Sequence, residues 1–307
     1  MPSQQVLLER ATSALKNALA ADAVSMPVHW YYRAAIDIPA AFPPAGVTKM
    51  EAAPAEHPHG FMTLPKEGLQ KDVVGVVIAK AQAGRWSAEE DNKTHIHAGL
   101  DAGDNTRNGY AARLALRQLA ANKGRYDAAG FLARFVAVST AEDSEIEDPY
   151  AETYQRLFFG NYGRGKAPAD CGEHSGGSFI GGLVAASVIA VVELLRDRDV
   201  KRVQAIVAAH IELTHPDDAV IQASAAALVK LTDALLYRDD DEGVDAALLA
   251  SAVEAVGVDV STADLAAADT DVIGSPKFGD VGDWKFNSTC PLPGTFPTVV
   301  YLARKYR

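Results

Sequence analysis

The chain has 307 residues, 48% of them hydrophobic, 22% charged and only 7% aromatic, with a formal net charge of −11. That length buries a sizeable core, and an alanine-tilted globular mixture favours helix. So negative a balance excludes a nonspecific grip on nucleic acid or an anionic membrane, which needs a basic face.

Any phosphate-bearing ligand must then be met by a local device: a metal ion, a helix N-terminus or a few arginines. Two cysteines, Cys171 and Cys290, are too few for a disulfide framework, so a reducing compartment, the cytoplasm, is expected.

In chain order, Val6 to Ala23 predicts a first helix, with Leu7, Leu8, Ala11, Leu15 and Ala18 as its apolar stripe. Glu9 and Arg10 inside that pattern argue against a signal peptide. Proline and glycine punctuate residues 37–68, which predicts a loop. His95 and His97 share a face of an extended segment, but a zinc site lacks a third ligand at recognisable spacing.

Asp104-Asn105-Thr106 then opens a helix expected from about Asn105 to Asn122, and two readings of it stand. Side chains of these types cap the free N–H groups of a first helical turn. With Asp101 nearby, they also supply oxygen ligands of the kind that suit Mg²⁺.

A further helix is expected from Ala128 to about Ala137. The acidic run "AEDSEIEDPYAET" reads as a solvated face leading into a helix. A glycine-rich loop follows, in which Gly176-Gly177-Ser178 is either a phosphate cradle or a helix-packing device. The segment after it is uncharged from Ser175 to Val192, at the threshold of membrane length. Its clustered glycines and serines and the lack of a basic flank favour a buried central helix from Phe179 to Leu195.

A helix from Val200 to near Leu213 precedes "THPDDAVIQASAAALVKL", where Pro216 suits a first turn and Thr214 or His215 a cap. His215 reads equally as a polar group facing a ligand. "DEGVDAALLASAVEAVG" predicts one more helix, and Asp269-x-Asp271 a solvated turn. Without sustained strand alternation, a repeat or a dividing linker, residues 1–307 are expected to form one all-α domain.

Five stretches, in order, resemble the ADP-ribosylglycohydrolase family. "ALAADAVSMPVHW" is similar to its first-helix signature, and "HIHAGLDAGDNTRNG" to the branch that contains the jellyfish lens J-crystallin. "GRGKAPADCGEHSGG", "THPDDAVIQASAAALVKL" and "STCPLPGTFPTVVYLARKY" match its middle loop, its Thr-His-Pro helix and a Cys-containing turn leading into a helix.

The resemblance implies a compact, orthogonal multi-helix bundle with Mg²⁺, usually two ions, at its centre. It implies hydrolysis of the glycosidic bond that joins ADP-ribose to a protein side chain or a metabolite, with the ions binding ribose hydroxyls and positioning a water. Asp104 is then expected as the catalytic residue and main metal ligand, with Asn105 and Thr106 assisting it. Gly177, Ser178 and His215 are expected to hold the substrate.

Three departures accompany these expectations. Gly103-Asp104-Asn105-Thr106 replaces the family's Thr-Asp-Asp-Thr, so one carboxylate becomes an amide. His29 stands where many active members carry a glutamate near the substrate. The chain reaches Arg307 before the family's second acidic motif, a Gly-Gly-Asp run, so either the sequence is clipped there or the metal site is half-built and expected to be weak. The alternative is a crystallin-like or ADP-ribose-binding protein that kept the fold and lost turnover.

Overall fold

The computed structural model describes residues 2–31, 34–43, 46–58, 73–85, 93–173, 178–239 and 290–305, with short pieces at 248, 250–251, 253–258 and 261. Helix α1 spans Gln4–Ser25, and the Ser3 hydroxyl caps it by accepting from the Val6 N–H. A short α2, Ala34–Ala41, occupies the start of the segment expected to be loop and tolerates Pro39 near its end.

Helix α3 is Arg107–Ala121, two residues shorter at its start than expected, because Thr106 acts as the N-cap and accepts from the Gly109 N–H. Helix α4, Ala128–Thr140, is capped by Asp127. Helix α5 is Thr153–Gly163, with the Glu152 N–H donating to the Gln155 side chain.

The apolar segment expected to be a helix from Phe179 is divided. Phe179 forms a bridge to Pro291, Ile180–Gly182 make a 3₁₀ turn, and helix α6 runs Leu183–Arg196. Its 14 residues are fewer than the roughly 20 a spanning helix needs. α6 buries Leu183, Ala186, Ile189, Ala190 and Leu194, and it packs against α1 and α3 and against two further helices, α7 (Val200–Glu212) and α8 (Ala219–Tyr237).

One acid lies on this central helix. Glu193 is buried, accepts from the Tyr126 N–H at 2.6 Å and meets Arg202 at 2.8 Å and Arg196 at 2.9 Å.

The expected cap of α8 is corrected. Asp218, not Thr214 or His215, accepts from the Val220 and Ile221 N–H groups. The chain turns first through Asp217 at φ 58°, so Pro216 precedes the helix instead of opening it. α8 is the one described helix long and apolar enough to cross a membrane. It buries Ile221, Ala225, Val229 and Leu236 against the bundle.

The final helix, α9, spans Leu292–Lys305, and positions 250–251 and 253–256 of the helix expected before it are helical. Asp269 and Asp271 lie outside the described residues. The fold is all-α: among the described residues there are only isolated β-bridges, and buried apolar side chains of α1, α3–α8 and α9 form one cluster.

Candidate active site

The start of α3 is tied to the end of α1 by one carboxylate. Asp22 accepts from the Thr106 N–H at 2.8 Å, the Thr106 hydroxyl at 2.7 Å and the Asn105 amide at 3.0 Å. Asn105 also donates to the Leu19 carbonyl at 2.8 Å. Glycine is needed at Gly109, since a Cβ there would collide with the Asp22 carboxylate. Burial pushes the Asp22 carboxyl above its ordinary value, and the bonds from Thr106 and Asn105 oppose that rise.

Beyond this tie lies a cluster of imidazoles. His97 is buried, with Nδ1 2.8 Å from Asp148 Oδ1 and Nε2 2.7 Å from His29 Nδ1. The Nδ1 of His95 accepts from the His97 N–H at 3.1 Å, and His57 Nε2 is 3.1 Å from the His29 carbonyl.

Asp148 is buried as well. It accepts from the Arg107 N–H at 2.7 Å and the Tyr150 N–H at 3.0 Å. The Arg107 guanidinium, also buried, donates to the backbone carbonyls of Asp148 and Tyr150 at 2.7 and 3.1 Å. Burial alone would push the Asp148 carboxyl up, but His97 and Arg107 hold it below the usual range. Burial first, and the neighbouring His97, His95 and His57 after it, pull His29 down to about 3, so its imidazole is neutral near neutral pH.

A cleft of about 400 Å³ opens between these two arrangements. Its walls include Asp22, His29, Thr106, Asn108, Glu152 and Cys290. The volume lies in the range of small-molecule sites. Glu152 accepts from the Asn108 amide at 2.6 Å and sits so close to Gly181 that a Cβ there would displace its carboxylate. Burial raises the Glu152 carboxyl above its ordinary value, against the pull of Asn108 and Arg156. Burial likewise pushes the Cys290 thiol up to about 11. Trp30 holds φ 65° at the cleft wall, a strained value for a bulky residue of the sort found at functional sites.

The residues singled out in the sequence are distributed unevenly around this cleft. Thr106 lines it. Asp104 is partly exposed, and its carboxylate caps its own turn by accepting from the Asp101 N–H at 2.8 Å. The Ser178 hydroxyl donates to Asp218, at 2.7 Å from Oδ1. His215 is buried behind the cleft, with its ring 4.7 Å from that of Tyr154, whose hydroxyl donates to Asn108 at 2.9 Å. Gly177 lies outside the described residues.

Magnesium fits these described residues poorly. Asn105 and Thr106 are engaged in capping through Asp22, Asp104 is the one carboxylate among the three, and no three His, Cys, Asp or Glu side chains among the described residues converge on a metal position.

The buried acids were the part sequence reasoning missed. The run 141–153 was read as a solvated face, and Glu142, Glu145 and Glu147 are exposed as expected. Asp148, however, is buried with Ile146 and Tyr150, on alternate positions of an extended segment. Sharing parity with Ile146 and Tyr150 was the available signal.

An all-helical bundle with an acid and a neutral imidazole in one cleft has the groups that acid–base hydrolysis requires. The family model described as ADP-ribosylglycohydrolase matches residues 3–307, and the chain belongs to that family of glycohydrolases. Among curated proteins and among solved structures, none matches.

Proposed function

We propose that the chain hydrolyses a glycosidic bond of ADP-ribose in this cleft, with Glu152 as the general acid and His29 as the group that receives the proton of the attacking water. The observation that carries the proposal is that both groups line one cleft while their surroundings push their protonation in opposite directions. The rise at Glu152 keeps its carboxyl protonated to higher pH, so it has a proton for the leaving group. The fall at His29 keeps its imidazole free of charge, with a ring nitrogen able to accept.

Glycoside hydrolysis needs this division of labour, an acid at the leaving atom and an acceptor for the water proton. Asn108 fixes the Glu152 oxygen, and His215 supports Asn108 through Tyr154.

The His95-x-His97 run supports placement in the J-crystallin-like branch. Mg²⁺, when bound, polarises oxygen and orients water. We place its ligands at Asp104, Asn105 and Thr106 and expect weak binding, because they supply a single carboxylate. The acid and the imidazole described above act without it.

The test is ADP-ribose release by the full chain from arginine-, serine- and acyl-linked ADP-ribose, read by chromatography. Release from at least one linkage supports the proposal. Binding of free ADP-ribose without release from any of them overturns it in favour of a non-catalytic ADP-ribose-binding protein.

A further inference from the structure

We propose that Asp148, His97 and His29 form a proton relay, in which His29 is the catalytic residue facing the cleft and His97 with Asp148 are positioning residues that take up the charge. This rests on the hydrolase reading above and adds to it a path for the proton.

The direction of the relay follows from its hydrogen bonds. Asp148 accepts two backbone N–H groups, from Arg107 at 2.7 Å and Tyr150 at 3.0 Å, so it is a carboxylate and His97 Nδ1 must donate to it at 2.8 Å. With Nδ1 donating to Asp148, the relay takes His97 Nε2 as its lone-pair side and His29 Nδ1, 2.7 Å away, as the donor to it. The remaining ring nitrogen of His29, Nε2, is left with the lone pair, on a residue that lines the cleft. Two further imidazoles fix the geometry: His95 holds the His97 backbone at 3.1 Å, and His57 holds the His29 carbonyl at 3.1 Å. Trp30 and Tyr150 present edges to the His29 ring, at 5.6 and 5.9 Å between centroids.

A cation on His29 itself is disfavoured by its burial and by three imidazole neighbours. The relay avoids that species. As the water oxygen bonds to the anomeric carbon, one water O–H bond breaks and its proton forms Nε2–H on His29. The Nδ1–H bond of His29 breaks in the same movement and its proton forms Nε2–H on His97. The bond from the anomeric carbon to the leaving atom breaks with its electron pair on that atom, which takes the proton of Glu152.

His29 ends neutral, and the positive charge rests on His97, beside the Asp148 carboxylate. Return of that proton through His29 to solvent, and reprotonation of Glu152 from solvent, reset the site. In low dielectric this charge pairing is far more favourable than a lone buried imidazolium.

The test reads tautomers and turnover separately, on the full chain. In ¹⁵N-histidine NMR at neutral pH, His29 is expected to carry its proton on Nδ1, with a pyridine-like Nε2. A His29 protonated on Nε2 overturns the relay whatever the activity. Asp148→Asn, which offers an amide donor, is expected to reverse both tautomers. His97→Gln keeps hydrogen-bonding groups but has no ring to pass a proton. It is expected to lower kcat at least 100-fold with KM within about threefold. Unchanged kcat in a folded His97→Gln chain overturns the relay. Failure of the unaltered chain to release ADP-ribose overturns the hydrolase reading instead, and the NMR still decides whether the hydrogen-bond chain exists.

Discussion

Arg107 holds the buried Asp148–Tyr150 stretch against the start of α3. Its buried guanidinium bonds the carbonyls of Asp148 and Tyr150 while its own N–H bonds the Asp148 carboxylate. Replacement by methionine fills a similar volume and keeps the backbone N–H, but leaves two buried carbonyls without their donor and the Asp148 carboxylate without the guanidinium charge beside it. Arg107→Met is therefore expected to cost about 3–5 kcal/mol, read as a lower urea midpoint with an unchanged slope.

Two other buried side chains make stability depend on pH. Burial lowers His95 and His210 to about 3 in the folded chain, against 6.5 for the ordinary group. Between those values the unfolded chain binds protons that the folded chain refuses, so stability rises with pH. It is complete above about pH 6.5 and falls toward pH 3 by about 1.4 kcal/mol per pH unit for each histidine. Thermal melts at pH 7, 6, 5 and 4 should show a midpoint that drops progressively. A midpoint flat from pH 7 to 4 would contradict the assignment.

The elements show how much of this was legible. Helices α1, α3, α4, α7 and α8 follow from apolar periodicity in their stretches, and the cap at Thr106 follows from residue type. The start of α8 was misplaced because Asp217 adopts a left-handed conformation, which delays the cap to Asp218 and the helix to Ala219; ordinary propensities give no warning of that. The apolar run was correctly read as buried but not as divided, since its glycines serve contact. A Cβ on Gly182 would lie 2.6 Å from both His215 and Ile221.

The site was legible only in fragments: Thr106 and the odd position of His29 were visible, whereas Asp148 and Glu152 sat in a run whose composition reads as solvated. Partners for such acids come from residues about 40 to 50 positions away in sequence, which local pattern cannot register. At this scale the joint between α1 and α3 is the part to test. Asp22→Ala removes the acceptor of three bonds at the α3 start. It should cost about 2–4 kcal/mol, above the ~1 kcal/mol typical of a cap alone. Amide hydrogen exchange should localise the loss to residues 105–109, and uniform exchange across the chain would contradict it.

For the molecule as a whole, the helices position residues from 22–31 and the distant Glu152 on one cleft around the start of α3. The central claim is that this cleft performs acid–base hydrolysis with Glu152 as its acid. The pH profile of kcat for ADP-ribose release by Glu152→Gln against the unaltered chain tests it most directly. Glu152 must be protonated to act, and its carboxyl is raised by burial, so the unaltered chain should lose activity as pH rises through that raised value. Glu152→Gln keeps a hydrogen-bonding group of the same shape but has no proton to give. The account predicts a kcat at least 100-fold lower, KM nearly unchanged and the high-pH decline abolished. A Glu152→Gln chain with undiminished kcat and the same decline would contradict it.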